Sequence, residues 1–169
     1  IIIAAGKLAY WKGFENLIKS FFIVNKKTNA KLIILGDGPE REKLEALISS
    51  LNLNKFISLP GYVANPLSYF SKSDVFVLSS LVEGMPNVLV EAMMCGCTPV
   101  STDCPTGPKE LLKTNKYGYL VPVNDEYKMA TAIMKALEKP ISQKLLNEAI
   151  KPFDENKVLE KHLRSLHVI

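Results

Sequence analysis

Val75-Phe76-Val77-Leu78, followed five residues later by Glu83-Gly84-Met85-Pro86-Asn87-Val88-Leu89-Val90-Glu91, decides the fold of this chain. The first four residues are continuously apolar, as a strand buried on both faces must be. The segment from Pro86 to Cys95 has the length and apolar spacing of a helix, with Pro86 at its first position, where a missing N–H costs nothing. Gly96 is placed to end it. Strand, polar turn and helix in that order make a β-α unit. The turn between them carries a flexible Gly84 and two carboxylates, Glu83 and Glu91. A helix start offers unpaired N–H groups and a positive dipole end, which suit a phosphate. Carboxylates on either side can accept hydrogen bonds from hydroxyls, and Glu91 has the two acceptor oxygens that a vicinal diol such as ribose requires. A molecule with a phosphate in the middle and hydroxyls at both ends, such as a nucleotide-sugar, fits this segment. Ordinary surface charges favoured near a helix start are the alternative.

The same unit repeats outward in both directions. Strands are predicted at Ile1–Ala5, Lys31–Leu35, Phe56–Leu59, Thr98–Ser101 and Tyr119–Val121. Helices are predicted around Phe14–Phe22, Leu44–Leu51, Asn65–Ser71, Pro108–Leu112 and Glu126–Leu137. The alternation predicts an α/β fold: a Rossmann-like, three-layer α/β/α domain with a parallel sheet. Ligands of such sheets bind beyond the carboxyl ends of the strands. The polar turns Gly6–Gly13, Gly36–Gly38, Ser79–Pro86 and Thr102–Glu110 all fall at that edge. Leu145–Ile150 and Val158–Leu166 read as helices outside the alternation, facing either this domain or another.

The chain has 169 residues, 47% of them apolar, and a net charge of +4. That length supports one domain with a real core. No apolar run is long enough to span a bilayer, and no dense basic tract with interleaved aromatics points to nucleic acid. The chain opens on Ile1-Ile2-Ile3-Ala4-Ala5, as if in the middle of a strand, and the reading is of a piece of a longer protein. Cys95, Cys97 and Cys104 lack zinc spacing and are expected as buried free thiols. His162 and His167 are expected at the surface. No Asp-x-Asp pair exists, so no metal is expected at a diphosphate.

Lys7 and Lys12 flank the first turn, where two ammonium groups would neutralise a diphosphate and stabilise it as a leaving group; solvated lysines are the alternative. Trp11 between them is read as a packing residue. Gly36-Asp37-Gly38 ends the second strand without the third glycine of a dinucleotide fingerprint, because Arg41 stands there. It is either a turn that lets a base or ribose approach the backbone or a plain turn. The Thr102–Glu110 loop either contacts the sugar or only shapes the wall.

Together, Gly6-Lys7-Leu8 with Lys12-Gly13-Phe14, Gly36-Asp37-Gly38-Pro39, Glu83 to Ala92, and Pro99-Val100-Ser101-Thr102-Asp103 occur in one order. This resembles the C-terminal, donor-binding domain of retaining glycosyltransferase family 4 enzymes, which have the GT-B fold. The resemblance implies that residues 1–169 bind a UDP- or GDP-sugar, with no cofactor. It implies that Glu83 holds hydroxyls of the transferred sugar and Glu91 those of the ribose. Lys12 and Lys7 would meet the diphosphate, with Lys7 standing where Arg is usual. The backbone from Gly84 through Met85, Pro86, Asn87 and Val88 would meet sugar and phosphate, and Tyr62 and Val63 after Gly61 the base. The whole enzyme would be a hexosyltransferase of polysaccharide or glycan biosynthesis, acting on a glycan or lipid-linked glycan. It would be cytoplasmic, with the inner face of the cell membrane as a peripheral site. The N-terminal acceptor domain is absent, so the fragment is expected to be inactive, and residues 141–169 would pack on that missing domain. A nucleotide-sugar epimerase of the same fold and a non-catalytic nucleotide-binding or interaction domain remain as alternatives.

Overall fold

Six parallel strands form the centre of the computed structural model, which describes residues 1–153. They are β1 (Ile2–Ala5), β2 (Leu32–Leu35), β3 (Ile57–Gly61), β4 (Val75–Leu78), β5 (Thr98–Thr102) and β6 (Tyr119–Val121). Their spatial order is β3-β2-β1-β4-β5-β6. Ile3 pairs with Ile33 on one side and Phe76 on the other, so β1 is central.

The pleat sends alternate residues to opposite faces, and both faces are covered. Ile2, Ala4, Leu32, Ile34, Val75 and Val77 meet one apolar cluster, completed by α1 (Phe14–Asn25), α2 (Arg41–Ser50) and α6 (Glu126–Glu138). Ile3, Leu35, Phe76 and Leu78 meet the other, completed by α3 (Leu67–Phe70), α4 (Asn87–Met94), α5 (Pro108–Leu112) and α7 (Gln143–Ile150). Burial on both sides is why these strands read as continuous apolar runs rather than alternating ones.

Helix ends follow local chemistry. The Gly96 N–H reaches the Met93 carbonyl and the Cys97 N–H reaches Ala92, at 3.1 and 3.0 Å. This six-to-one, five-to-two pair closes α4 as expected from Gly96. Asp125 caps α6 by accepting from the Lys128 N–H at 2.9 Å.

One expectation changes: Pro86 is not the first helical residue but the residue before it, and α4 starts at Asn87. Of the two alternatives for the tail, its first part takes this domain: α7 packs on α4 and α5 through buried Leu146 and Ala149. It is also tied by the Tyr117 hydroxyl, which donates to Glu148 at 2.7 Å. The Val158–Leu166 stripe and both histidines lie outside the described residues. Among the described residues no helix is long and apolar enough to cross a membrane.

Candidate functional site: a charged pair at the strand-order reversal

The strand order reverses between β1, whose chain continues to β2 on one side, and β4, which follows β3 from the far edge. Open α/β sheets bind ligands outside the carboxyl ends at such a point. Here the turns after β1 and β4 meet. Gly13 has φ 65°, and a Cβ on it would stand 2.1 Å from the Ser79 carbonyl oxygen, so no side chain fits. The Ser79 hydroxyl donates to the Lys12 carbonyl at 2.8 Å, and the Leu81 N–H donates to the Trp11 carbonyl at 2.8 Å.

This stapling brings two of the expected site residues together. The Lys12 ammonium donates to Glu83 Oε1 at 2.6 Å, with the side chains only 20% and 11% exposed. The Ser80 hydroxyl donates to the same oxygen at 2.5 Å. Glu83 Oε2 has no protein donor among the described residues. The main chain here is braced from β5: the Thr102 hydroxyl donates to the Ser80 carbonyl at 2.6 Å, and the Thr106 hydroxyl donates to the Glu83 carbonyl. The Thr102–Glu110 loop is thus a support for Glu83. Glu83 presents one oriented acceptor oxygen, and Lys12 a cation, at the edge of the crevice.

A second group assembles beside it. Lys7, Gly36, Asp37, Tyr62 and Val63 line one cavity of about 370 Å³, with Gly6 and Pro66. The glycines of Gly36-Asp37-Gly38 serve close approach between two turns. A Cβ on Gly36 would lie 1.9 Å from the Gly6 carbonyl oxygen, and one on Gly38 would lie 2.5 Å from that of Leu8. Asp37 accepts from Arg41 Nε at 2.9 Å and from the Gly38 N–H at 2.7 Å. Those two bonds, the guanidinium first, hold its carboxyl below the usual range. Arg41 also donates to the Gly36 and Leu59 carbonyls, both at 3.3 Å. In the sequence Arg41 stands out only as a missing glycine. Its place four residues after Asp37 and four before Glu45 was the signal that it clamps this turn. Tyr62 is 81% exposed at the cavity, with its ring open to solvent. Neither Glu83 nor Glu91 lines this cavity.

The start of α4 offers fewer free amides than expected. Pro86, at φ −81° and ψ 71°, forms a tight three-residue turn in which the Asn87 N–H donates to the Met85 carbonyl at 2.9 Å. The Leu89 N–H donates to the Pro86 carbonyl at 2.9 Å. Of these first amides, that of Val88 is left without a protein acceptor among the described residues. Gly84 and Met85 are exposed on the turn. Glu91 is half-buried and has no side-chain partner among the described residues. One turn further along the same face, Cys95 reaches the Leu67 carbonyl at 3.9 Å. Burial, and secondarily the Glu91 charge, push the Cys95 thiol up. Glu91 therefore sits on the flank of α4 that turns toward the segment after Val63, and Glu83 sits on Lys12.

Trp11, read as a packing residue, is 47% exposed beside this pair. Cys97 and Cys104 are buried and Cys95 partly so, all as free thiols. No cluster among the described residues could hold a metal ion.

The sequence marks the Ser79–Pro86 and Thr102–Glu110 turns but not the bracing of Glu83 by the hydroxyls of Ser80, Thr102 and Thr106, because hydroxyl side chains carry no periodic signal. Their roles exist only where β4 and β5 lie side by side.

Comparison with known proteins identifies the family. The family described as Glycosyl transferases group 1 matches residues 1–152. An uncharacterized glycosyltransferase of Methanocaldococcus jannaschii is 47% identical over 113 residues, which are 66% of this chain and 28% of that protein. The N-acetylgalactosamine-N,N'-diacetylbacillosaminyl-diphospho-undecaprenol 4-alpha-N-acetylgalactosaminyltransferase of Campylobacter jejuni is 35% identical over 170 residues, 98% of this chain and 46% of that one. The crystal structure of a mutant of Staphylococcus aureus TarM, in complex with fondaparinux, alpha-GlcNAc-glycerol and UDP, superposes with a TM-score of 0.85 at 27% identity, over 96% of this chain and 34% of that one. The chain thus spans less than half the length of these relatives. The fold is the C-terminal half of GT-B. The family number drawn from the motifs is corrected: the match is to group 1, not to family 4. Lys12 and Glu83 stand in the connections after β1 and β4 at the carboxyl edge of the sheet, Glu91 stands on α4, and their spacing does not carry a family number. With that family matching residues 1–152, this chain belongs to the Glycosyl transferases group 1 family.

Proposed function

We propose that this chain is the donor-binding half of a retaining glycosyltransferase, which moves a sugar from a nucleotide-diphosphate sugar to a hydroxyl acceptor in glycan or polysaccharide synthesis. The observation that carries the reading is the Lys12–Glu83 pair at the strand-order reversal, next to the cavity of Lys7, Gly36, Asp37, Tyr62 and Val63. In this reading the base enters that cavity, with the Tyr62 ring free to cover it, and the ribose lies outside it on the α4 side. Glu91 accepts from the ribose hydroxyls. The diphosphate lies across Lys7, Lys12 and the free Val88 amide. Glu83 Oε2 accepts from a hydroxyl of the transferred sugar.

Chemically, the carbon–oxygen bond from the anomeric carbon to the diphosphate breaks, and the acceptor oxygen forms a bond to the same face of that carbon. The acceptor proton leaves with the departing diphosphate. Lys12 and Lys7 contribute by stabilising negative charge as it develops on the leaving oxygen. A second domain, N-terminal to this one, supplies the rest of the acceptor site. The UDP held by TarM supports a uridine nucleotide. The diphospho-undecaprenol in the name of the Campylobacter relative supports a lipid-linked acceptor, and with it a site at the inner membrane face.

The test is a panel of UDP-, GDP- and ADP-sugars screened for thermal stabilisation of the chain, followed by calorimetry on those that stabilise it. Saturable binding of one nucleotide class, weakened by Glu91→Ala, is expected. Absence of binding by all three classes would overturn the reading.

A further inference from the structure

A second cavity, of about 430 Å³, opens on the other side of the stapled turns. Its size suits a small ligand, since such sites fall in the range of about 300–1,000 Å³. Gly13, which follows Lys12, and Leu81, two residues before Glu83, both line it, so it shares its wall with the charged pair. Its lining is of two kinds. Tyr10, Phe14, Leu44 and Leu81 offer apolar surface, and Tyr10 is 69% exposed, so its ring is open to contact. Asn16, Asn124 and Glu126 offer polar atoms, and the Asn124 amide and Glu126 carboxylate have no protein partner among the described residues. The cations nearby are already engaged. Lys19 and Lys43 each bind Glu15, on its two different oxygens, at 2.8 Å. What remains for a ligand is an aromatic face, an amide and a carboxylate acceptor.

That combination disfavours a phosphate or carboxylate, which would meet the Glu126 carboxylate while Lys19 is held by Glu15 and Lys43 by Glu15 and Glu40. It suits a neutral polyhydroxy ring, whose C–H face packs on an aromatic while its hydroxyls donate to carboxylate and amide oxygens. We propose that this cavity is a saccharide subsite, holding a neutral sugar unit of the acceptor against the donor side of the enzyme. The assignment of that sugar to the acceptor rests on the function proposed above; the binding of a sugar there does not.

The experiment uses the 169-residue chain and two probes, UDP and a panel of methyl glycosides of neutral hexoses and N-acetylhexosamines. Backbone amide NMR shifts locate each probe, and the titrations give its affinity. A glycoside is expected to bind in the millimolar range and to move Tyr10, Asn16, Leu44 and Asn124. Tyr10→Ala and Glu126→Gln are each expected to weaken it about tenfold, leaving UDP affinity unchanged. These residues are on the surface of loops or of a helix start, so folding is preserved, and amide spectra check it. Failure of every glycoside to move these amides, or glycoside shifts confined to the Gly36–Val63 cavity, would overturn the proposal. Glycoside binding here without any UDP binding would support the subsite while removing the donor reading, so the two failures are distinguishable.

Discussion

Lys12 and Glu83 are 71 residues apart in the chain and joined by a 2.6 Å ion pair where the strand order reverses. The pair is largely shielded from solvent, so each partner is costly to leave alone. A donor diphosphate would compete with Glu83 for the Lys12 ammonium. Lys12→Ala is therefore expected to weaken UDP by about tenfold or more, the worth of a charged hydrogen bond, and to change the affinity for uridine little. Calorimetry with the two ligands measures this. Equal losses for both would place Lys12 away from the diphosphate.

Glu91 makes no side-chain hydrogen bond or ion pair among the described residues, so its removal should leave the fold intact. Glu91→Ala is expected to shift the urea midpoint negligibly while reducing nucleotide-sugar affinity by about 1.5–3 kcal/mol, as for a hydrogen bond to a charged group. The same change should be smaller for a 2′,3′-dideoxy nucleotide. A large stability loss with unchanged affinity would make Glu91 structural.

The left-handed backbone at Gly13 and its contact with the Ser79 carbonyl leave no room for a methyl group. Gly13→Ala should cost about 3 kcal/mol, from strain and overpacking combined. It should also lower nucleotide affinity, because the same contact sets Lys12 against Glu83. Urea denaturation reads the first effect and calorimetry the second. Wild-type stability in the variant would show that the two turns can separate.

Glu15 accepts from Lys19 and, secondarily, from Lys43, and its carboxyl falls from the usual 4.5 to about 2. A carboxyl depressed by folding adds stability above its unfolded value and loses it as pH falls through the folded one. Its contribution is therefore complete above about pH 4.5 and declines between there and about pH 2. Its side chain is 39% exposed, so solvent screening keeps the effect small. Comparing urea midpoints at about pH 6 and about pH 3 for the native chain and Glu15→Gln checks the sign: the gap between them should narrow at the lower pH.

Burial pushes the Cys97 thiol up to about 12, and Cys104 is buried as well. A thiolate is the reactive form. Under native conditions an aromatic disulfide reagent should modify Cys95 first, with the other two reacting only as the chain unfolds. Rapid modification of all three would mean that the β5 end opens readily.

Much of the architecture was legible without coordinates. Val75–Leu78 and Ile2–Ala5 are apolar at every position because parallel strands between two helical layers are buried on both faces, and that pattern is local. Phe14, Leu17, Ile18 and Phe21 recur at helical spacing for the same kind of reason. Glu83, Glu91 and Lys12 could be singled out because charged residues cluster in turns that all fall at one edge of such a sheet. One local reading shifted and the fold refined two others. Pro86 caps its helix from outside, since the tight turn it makes with Met85 ends on Asn87, the first helical residue. The glycines around Asp37 answer to the neighbouring turn. Trp11 is half exposed.

What the sequence by itself determined was the order of strands and helices, because hydrophobic periodicity and turn residues act over a few neighbouring positions. What only the tertiary structure decided was which turns touch. The joining of Lys12 to Glu83, the bracing of Glu83 by Ser80 and Thr106, the clamp of Arg41 on Asp37 and the docking of α7 all depend on which strands lie side by side. Spatial neighbours that are far apart in the chain leave no local pattern, and hydroxyl and guanidinium groups acquire their roles only from the partners that folding brings within hydrogen-bond reach.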